Sequence, residues 1–95
     1  MKYLSATKQF DKLVHELPWK EREKSIDTLK LFATALGAGK FSRGFGLKKI
    51  AADLYEIRVD IRLRILMKAK EDSLICFLIG SHDDIRKYLK ECGSR

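Results

Sequence analysis

Hydrophobic and polar residues repeat with two different periods along this chain, and the change of period divides it in half. In the first half Phe10, Leu13, Val14 and Leu17 recur at the spacing of one helix face, behind Thr7 as a candidate N-cap. Pro18 ends that helix or opens the next at its first position. Trp19, Arg22, Ile26, Leu29, Phe32, Ala33 and Leu36 continue the helical period as far as Gly37, a candidate C-cap. A short strand over residues 2–6 precedes this helical hairpin. Residues 37–46 contain four glycines and predict a loop. Phe41 and Phe45, set among Lys40 and Arg43, are either stacking platforms for bases or anchors that pin the loop to the core.

From Leu54 the period becomes two. Tyr55, Ile57, Val59, Ile61, Leu63 and Ile65 alternate with Glu56, Arg58, Asp60, Arg62 and Arg64. Left straight, the sixteen residues to Lys70 would reach ~53 Å, whereas a compact chain of this length is only ~32 Å across. The ribbon must therefore turn, and Asp60 is the turn-forming residue midway. Parity sets the loop length. A two-residue loop at 60–61 would face Ile57 with Arg64. A three-residue loop, Asp60-Ile61-Arg62, pairs Val59 with Leu63, Ile57 with Ile65 and Tyr55 with Met67, which keeps one face apolar. It also places Arg58 opposite Arg64, and puts Arg62 where such loops prefer glycine. A second turn at Glu71-Asp72-Ser73 leads to the apolar strand Leu74 to Ile79, expected to be central and covered on both faces. Ser81 and Asp84 resemble a capping box ahead of a last helix carrying Ile85, Tyr88, Leu89 and Cys92 on one stripe. The expected fold is α+β in the order β-α-α-β-β-β-α. A small, mainly antiparallel twisted sheet is packed by the N-terminal helical hairpin and followed by a short C-terminal helix, all within a single domain over 1–95.

Composition narrows the classes. At 95 residues, with 45% hydrophobic and 35% charged residues, the chain is ordinary globular sequence. The longest apolar run, Leu74 to Ile79, is far below the ~20 residues of a membrane-spanning helix, and the N-terminus has no signal-peptide pattern. Two cysteines, Cys76 and Cys92, supply neither a disulfide framework nor a metal quartet, which fits a reducing cytoplasm. No His/Cys/Asp cluster has ligand spacing, so neither metal nor cofactor is expected. The net charge of +7 is concentrated. Residues 40–70 hold nine basic and three acidic side chains. Such a stretch suits nucleic acid or an acidic protein, unless it is simply a solvated face.

Arg58 opposite Arg64 is the main chemical clue. Like charges facing across a ladder cost stability, and a phosphate held between two guanidiniums would offset that cost. The alternative is that both splay into water, with Glu56 pairing one of them. Lys68 extends the same face, and Lys48 and Lys49 precede it. His82 opens the last helix, where an imidazole can exchange a proton near neutrality or can simply be an exposed first-turn residue. Asp83 and Asp84 complement the helix dipole there.

The segments Leu54-Tyr55-Glu56-Ile57-Arg58-Val59, Arg64-Ile65-Leu66 and Phe77-Leu78-Ile79-Gly80-Ser81-His82-Asp83-Asp84-Ile85 resemble the RelE/ParE superfamily of toxin–antitoxin toxins. The first half of the chain matches that superfamily only in its strand-plus-hairpin pattern. The resemblance implies a toxin of a type II, plasmid-stabilising kind of system, blocked by an acidic antitoxin. RelE-like members cut mRNA in the ribosomal A site without metal. The 2′-hydroxyl attacks the neighbouring phosphate, and basic residues stabilise the charge that develops. By position, Arg64 and Arg58 match the phosphate-stabilising and second-strand basic positions. His82 falls near the leaving group, and Tyr88 or Arg86 near a C-terminal aromatic. Lys48, Lys49, Arg62, Lys68 and Arg86 are the expected contacts to mRNA and 16S rRNA. Two residues depart from the pattern. Glu56 stands where one branch has a catalytic lysine, and acts as a base instead or marks lost activity. Leu63 replaces a common aromatic. The ParE-like branch poisons DNA gyrase rather than cutting RNA, so a non-enzymatic poison or an inactive binding protein is the alternative to an mRNA endonuclease.

Overall fold

The computed structural model describes residues 2–40 and 44–92. In chain order these form β1 (Tyr3–Ala6), α1 (Lys8–His15), α2 (Trp19–Gly37), β2 (Lys48–Ala51), β3 (Leu54–Arg58), β4 (Arg64–Lys70), β5 (Ser73–Gly80) and α3 (His82–Cys92). Phe41, Arg43 and the Cys92 side chain, singled out in the sequence, lie outside the described residues.

Thr7 caps α1, its hydroxyl accepting from the Phe10 amide at 3.1 Å. Pro18 is the N-cap of α2 rather than its first helical residue, and Gly37 is its last residue, with Ala38 as the C-cap. The inward stripe of α2 is Ser25, Phe32 and Leu36, all buried. Trp19 is not on it and stays 64% exposed. At 100° per residue it lies about 120° around the helix from Ser25. Ser25 can be buried because its hydroxyl donates to the Glu21 carbonyl of its own helix at 2.8 Å.

The sheet order is β1-β5-β4-β3-β2, with β1 parallel to β5 and the other pairs antiparallel. Ile57 faces Ile65, Tyr55 faces Met67 and Arg58 faces Arg64, the register that parity requires. Val59 and Asp60 both donate to the Leu63 carbonyl. The Asp60 carboxylate accepts the amides of Arg62 and Leu63, each at 2.8 Å. That carboxylate does what glycine does in other such loops. Arg62 needs no left-handed backbone, and the one non-glycine with positive φ among the described residues is Glu71 in the next turn. Ile61 stands at the tip, 86% exposed.

Three features were not expected. Lys48–Ala51 adds a fifth strand at the edge, paired to β3. Edge strands bury little, and only Ile50 of its four residues is even half-buried, so no periodicity marks it. β5 is interior, but β4 is the middle strand. Between Met67 and Leu66 the register slips, leaving Phe77 as the extra residue of a bulge. The core sits between one sheet face and the hairpin. Phe10, Val14, Phe32 and Leu36 meet Ile57, Leu63, Ile65, Met67, Leu74, Cys76 and Ile79. Phe45 joins them, its ring edge-on to Phe32 at 5.1 Å, so it is an anchor for the loop. Burial pushes the Cys76 thiol up to about 12.

Asp60→Ala should destabilise the fold by about 1–2 kcal/mol in urea unfolding, since two backbone donors lose their acceptor. The amide of Arg62 first, then that of Leu63 and the Lys24 ammonium at 3.5 Å, hold the Asp60 carboxyl below its ordinary 3.8. A depressed folded-state pKa adds stability above the unfolded value and loses it as pH falls through the folded one. The gap between wild type and Asp60→Asn should therefore shrink below about pH 4, and a gap constant down to pH 2 would refute this role for the charge.

Candidate active site

The sheet face away from the hairpin carries Leu54, Glu56 and Arg58 from β3 and Arg64, Leu66 and Lys68 from β4, by the alternation of the strands. The helix α3 starts at the end of β5 and runs back over this face. Its start is fixed by a reciprocal pair. The Ser81 amide donates to the Asp84 carboxylate at 2.9 Å, and the Asp84 amide to the Ser81 hydroxyl at 3.1 Å. Asp thus completes a capping box usually closed by Glu. These bonds from Ser81 hold the Asp84 carboxyl below its ordinary value. The preceding Gly80 leaves room for that carboxylate, because a Cβ there would lie 2.8 Å from Asp84 Cβ and Oδ2. Farther along α3, Ile85 is buried, as is Leu66 on the sheet beneath.

Between α3 and β2 lies a groove of about 300 Å³ lined by Lys48, Lys49, Glu56, His82 and Arg86, with Ile50, Ile85 and Leu89 as its apolar parts. Glu56 lies opposite Lys48 on one side and Leu66 on the other. Its side chain is only 8% exposed and forms an ion pair with Arg64 Nη1 at 3.5 Å. A carboxylate this buried requires such a partner. Arg64 is itself 20% exposed, and its buried Nε has no hydrogen-bond partner among the described residues. The guanidinium is therefore engaged on one edge and unsatisfied on another. Arg58, facing Arg64 across the ladder, is exposed. Its amide donates to the Phe45 carbonyl at 2.8 Å, and its side chain runs past Gly46, whose φ of +63° only glycine adopts readily.

Apart from Arg58, exposed across the ladder from Arg64, the residues picked out in the sequence fall into three places. His82, Arg86, Lys48 and Lys49 line one groove, with Arg64 tied to it through Glu56. Tyr88 and Lys68 line a second groove on the same sheet face, where Tyr88 lies against Phe77 at 5.4 Å between ring centroids. Arg62 is exposed in the β3–β4 turn. Glu56 is the carboxylate at the centre of the first groove. Its place on the charged face was readable from the alternation, but its burial was not. No group of three or more His, Cys, Asp or Glu side chains among the described residues is arranged to hold a metal. No helix among them is long and apolar enough to cross a membrane.

No protein-family model matches the sequence, and no curated protein sequence matches it. Solved structures do match in three dimensions. A chain of the RelB–RelE antitoxin–toxin complex from Methanococcus jannaschii superposes with a TM-score of 0.67 at 20% identity, over 88% of this chain and 96% of that one. YafQ from E. coli strain BL21(DE3) gives 0.64 at 16% identity, over 90% and 98%. A chain of the E. coli DinJ–YafQ complex gives 0.66 at 17%, over 90% and 98%. The protein therefore has the fold of the RelE- and YafQ-type proteins, as the motifs in its second half implied.

Gly80→Ala should lower stability by about 1–3 kcal/mol, because the new methyl displaces Asp84 and tilts the first turn of α3. For a domain of this size that is a fall in Tm of roughly 4 °C or more. An unchanged melting curve would mean that Asp84 moves aside freely and that the capping box does not fix His82.

Proposed function

We propose that this protein is the toxin of a type II toxin–antitoxin pair and an endoribonuclease that cleaves mRNA in the ribosome. One observation carries the reading. A buried carboxylate, Glu56, and an imidazole, His82, line the same cation-rimmed groove, and Arg64 is held beside the carboxylate. The fold shared with RelE and YafQ supports it.

The chemistry follows from what these groups can exchange. The 2′-hydroxyl of the bound nucleotide gives its proton to Glu56 and attacks the adjacent phosphorus. The bond from phosphorus to the 5′-oxygen of the next nucleotide breaks, and His82 supplies that oxygen with a proton. The products are a 2′,3′-cyclic phosphate and a 5′-hydroxyl. Arg64, whose Nε has no hydrogen-bond partner among the described residues, and Arg58 beside it stabilise the charge that builds on the phosphoryl oxygens. Lys48, Lys49 and Arg86 hold the RNA backbone along the rim. Tyr88, in the neighbouring groove, takes part in substrate placement rather than proton transfer. Arg62 and Lys68 are left for outlying contacts to mRNA or 16S rRNA.

The partner that restrains the toxin would be an acidic antitoxin, complementary to a net charge of +7. Two of the matched structures are complexes of a toxin-fold chain with RelB or DinJ. A second reading has one observation in its favour. Arg64 already has a carboxylate of its own, which suits a non-enzymatic poison of gyrase or an inactive relative.

Expression should arrest growth, with primer extension showing breaks within translated mRNA. Intact transcripts with raised DNA cleavage would favour the poison instead. Arg64→Ala, Glu56→Gln and His82→Gln should each reduce cleavage on ribosomes about 100-fold or more, and an Arg64→Ala variant that stayed equally toxic would reject the assignment. In RNA binding, Lys48→Ala with Lys49→Ala should flatten the log affinity against log salt slope by about 1.4, the share of two phosphates on a single strand.

A further inference from the structure

Glu56 sits between cations on two neighbouring strands. On β4 the Arg64 guanidinium holds its carboxylate at 3.5 Å. On β2 Lys48 is its direct partner across the ladder. Residues paired in this way share a face of the sheet, with Cβ atoms about 4.5–5.5 Å apart. Lys48 and Glu56 both line the groove beside α3. Yet Lys48 is exposed and makes no ion pair among the described residues. An anion arriving at Arg64 puts the two cations to different uses. The buried Nε of Arg64 has no hydrogen-bond partner among the described residues, so a phosphate gains a donor there that the carboxylate does not use. A guanidinium that turns toward phosphate loosens its hold on Glu56. A carboxylate on a side chain only 8% exposed is costly to leave without a cation. Lys48 already lies opposite and needs only a rotation of its flexible stem. Its ammonium has three donors, enough for the carboxylate and a backbone oxygen together. His82 and Arg86 line the same groove but project from α3, and Lys49 faces Tyr55 rather than Glu56.

We propose that Lys48 is a positioning residue: when a phosphate group engages the Arg64 guanidinium, the Glu56 carboxylate passes from Arg64 to the Lys48 ammonium. The free protein thus occupies its own phosphate seat with a carboxylate, and Lys48 is what allows that seat to be vacated. The proposal rests on the reading of this groove as the phosphate site of an RNA-cleaving toxin, yet the exchange it describes is measurable without cleavage.

The test is a titration with inorganic phosphate, followed by NMR through the Arg64 Nε–H, Lys48 Nζ and Glu56 carboxyl signals. It is run on wild type, Lys48→Met, Glu56→Gln and the double variant. In wild type, phosphate should shift all three signals together. Glu56→Gln should bind phosphate about fivefold more tightly or better, since no carboxylate then competes for Arg64. Lys48→Met should weaken phosphate about fivefold or more in the wild-type background and less than about twofold beside Glu56→Gln, because a neutral amide needs no second cation. Lys48→Arg, which keeps the charge, should restore the coupling to Glu56. An equal loss from Lys48→Met in both backgrounds would make Lys48 a plain phosphate contact and overturn the exchange. So would a Lys48 signal that phosphate leaves unmoved in wild type, an observation that needs no variant to fold. So would coupling of Glu56 to Arg86 in place of Lys48. If phosphate drives the exchange but no mRNA is cut, the nuclease reading fails and the exchange stands. If mRNA is cut and the affinities do not couple, the exchange fails alone.

Discussion

The architecture depends on a single carboxylate that closes a turn. By accepting two successive amides, Asp60 lets a run of alternating residues fold back with three residues in the loop. The odd number matters more than the turn itself. It returns β4 to β3 with Tyr55, Ile57, Ile65 and Met67 on the hairpin side and every charged side chain of the two strands on the other. A loop one residue shorter would have mixed the two sets across the ladder. The like-charged pair Arg58 and Arg64 is the cost of that arrangement, and the Glu56 carboxylate offsets part of it.

The two faces of the sheet are therefore treated differently. One is sealed by α1 and α2 into a continuous core. The other receives only α3, an eleven-residue helix held at its start by the Ser81–Asp84 pair and seated through Ile85. One short helix cannot cover five strands, and grooves remain on both sides of it. Glu56, buried on this face, and His82, exposed at the first turn of α3, both line one of these grooves. Local interactions at Gly80 and Asp84 thus position groups that the proposed chemistry needs together.

Much of this was legible in the sequence, because strict alternation over Tyr55–Ile65 and the helical spacing from Phe10 to Leu36 leave few alternatives. The β3–β4 register followed from side-chain parity and one length comparison. What escaped were features without periodicity. The edge strand Lys48–Ala51 pairs through its backbone and buries almost nothing, so its composition reads as loop. Trp19 looked like a core residue because it is large and apolar, yet its angular position on α2 faces outward, while small Ser25 takes the inward place. The division of the site into two grooves depends on where α3 crosses the sheet. Nothing in the spacing of His82, Arg86 and Tyr88 reveals that Tyr88 lies on the other flank.

One strand pairing has a consequence for synthesis. β1 lies parallel to β5, about seventy residues later in the chain: Tyr3 aligns with Ser73 and Ala6 with Cys76. β1 has no partner in the sheet until β5 has been made, and such long-range closure is slow. Until β5 and α3 have emerged from the ribosome, the charged face is incomplete. The groove lined by Glu56 and His82 is thereby assembled late, once α3 can seat on the completed sheet.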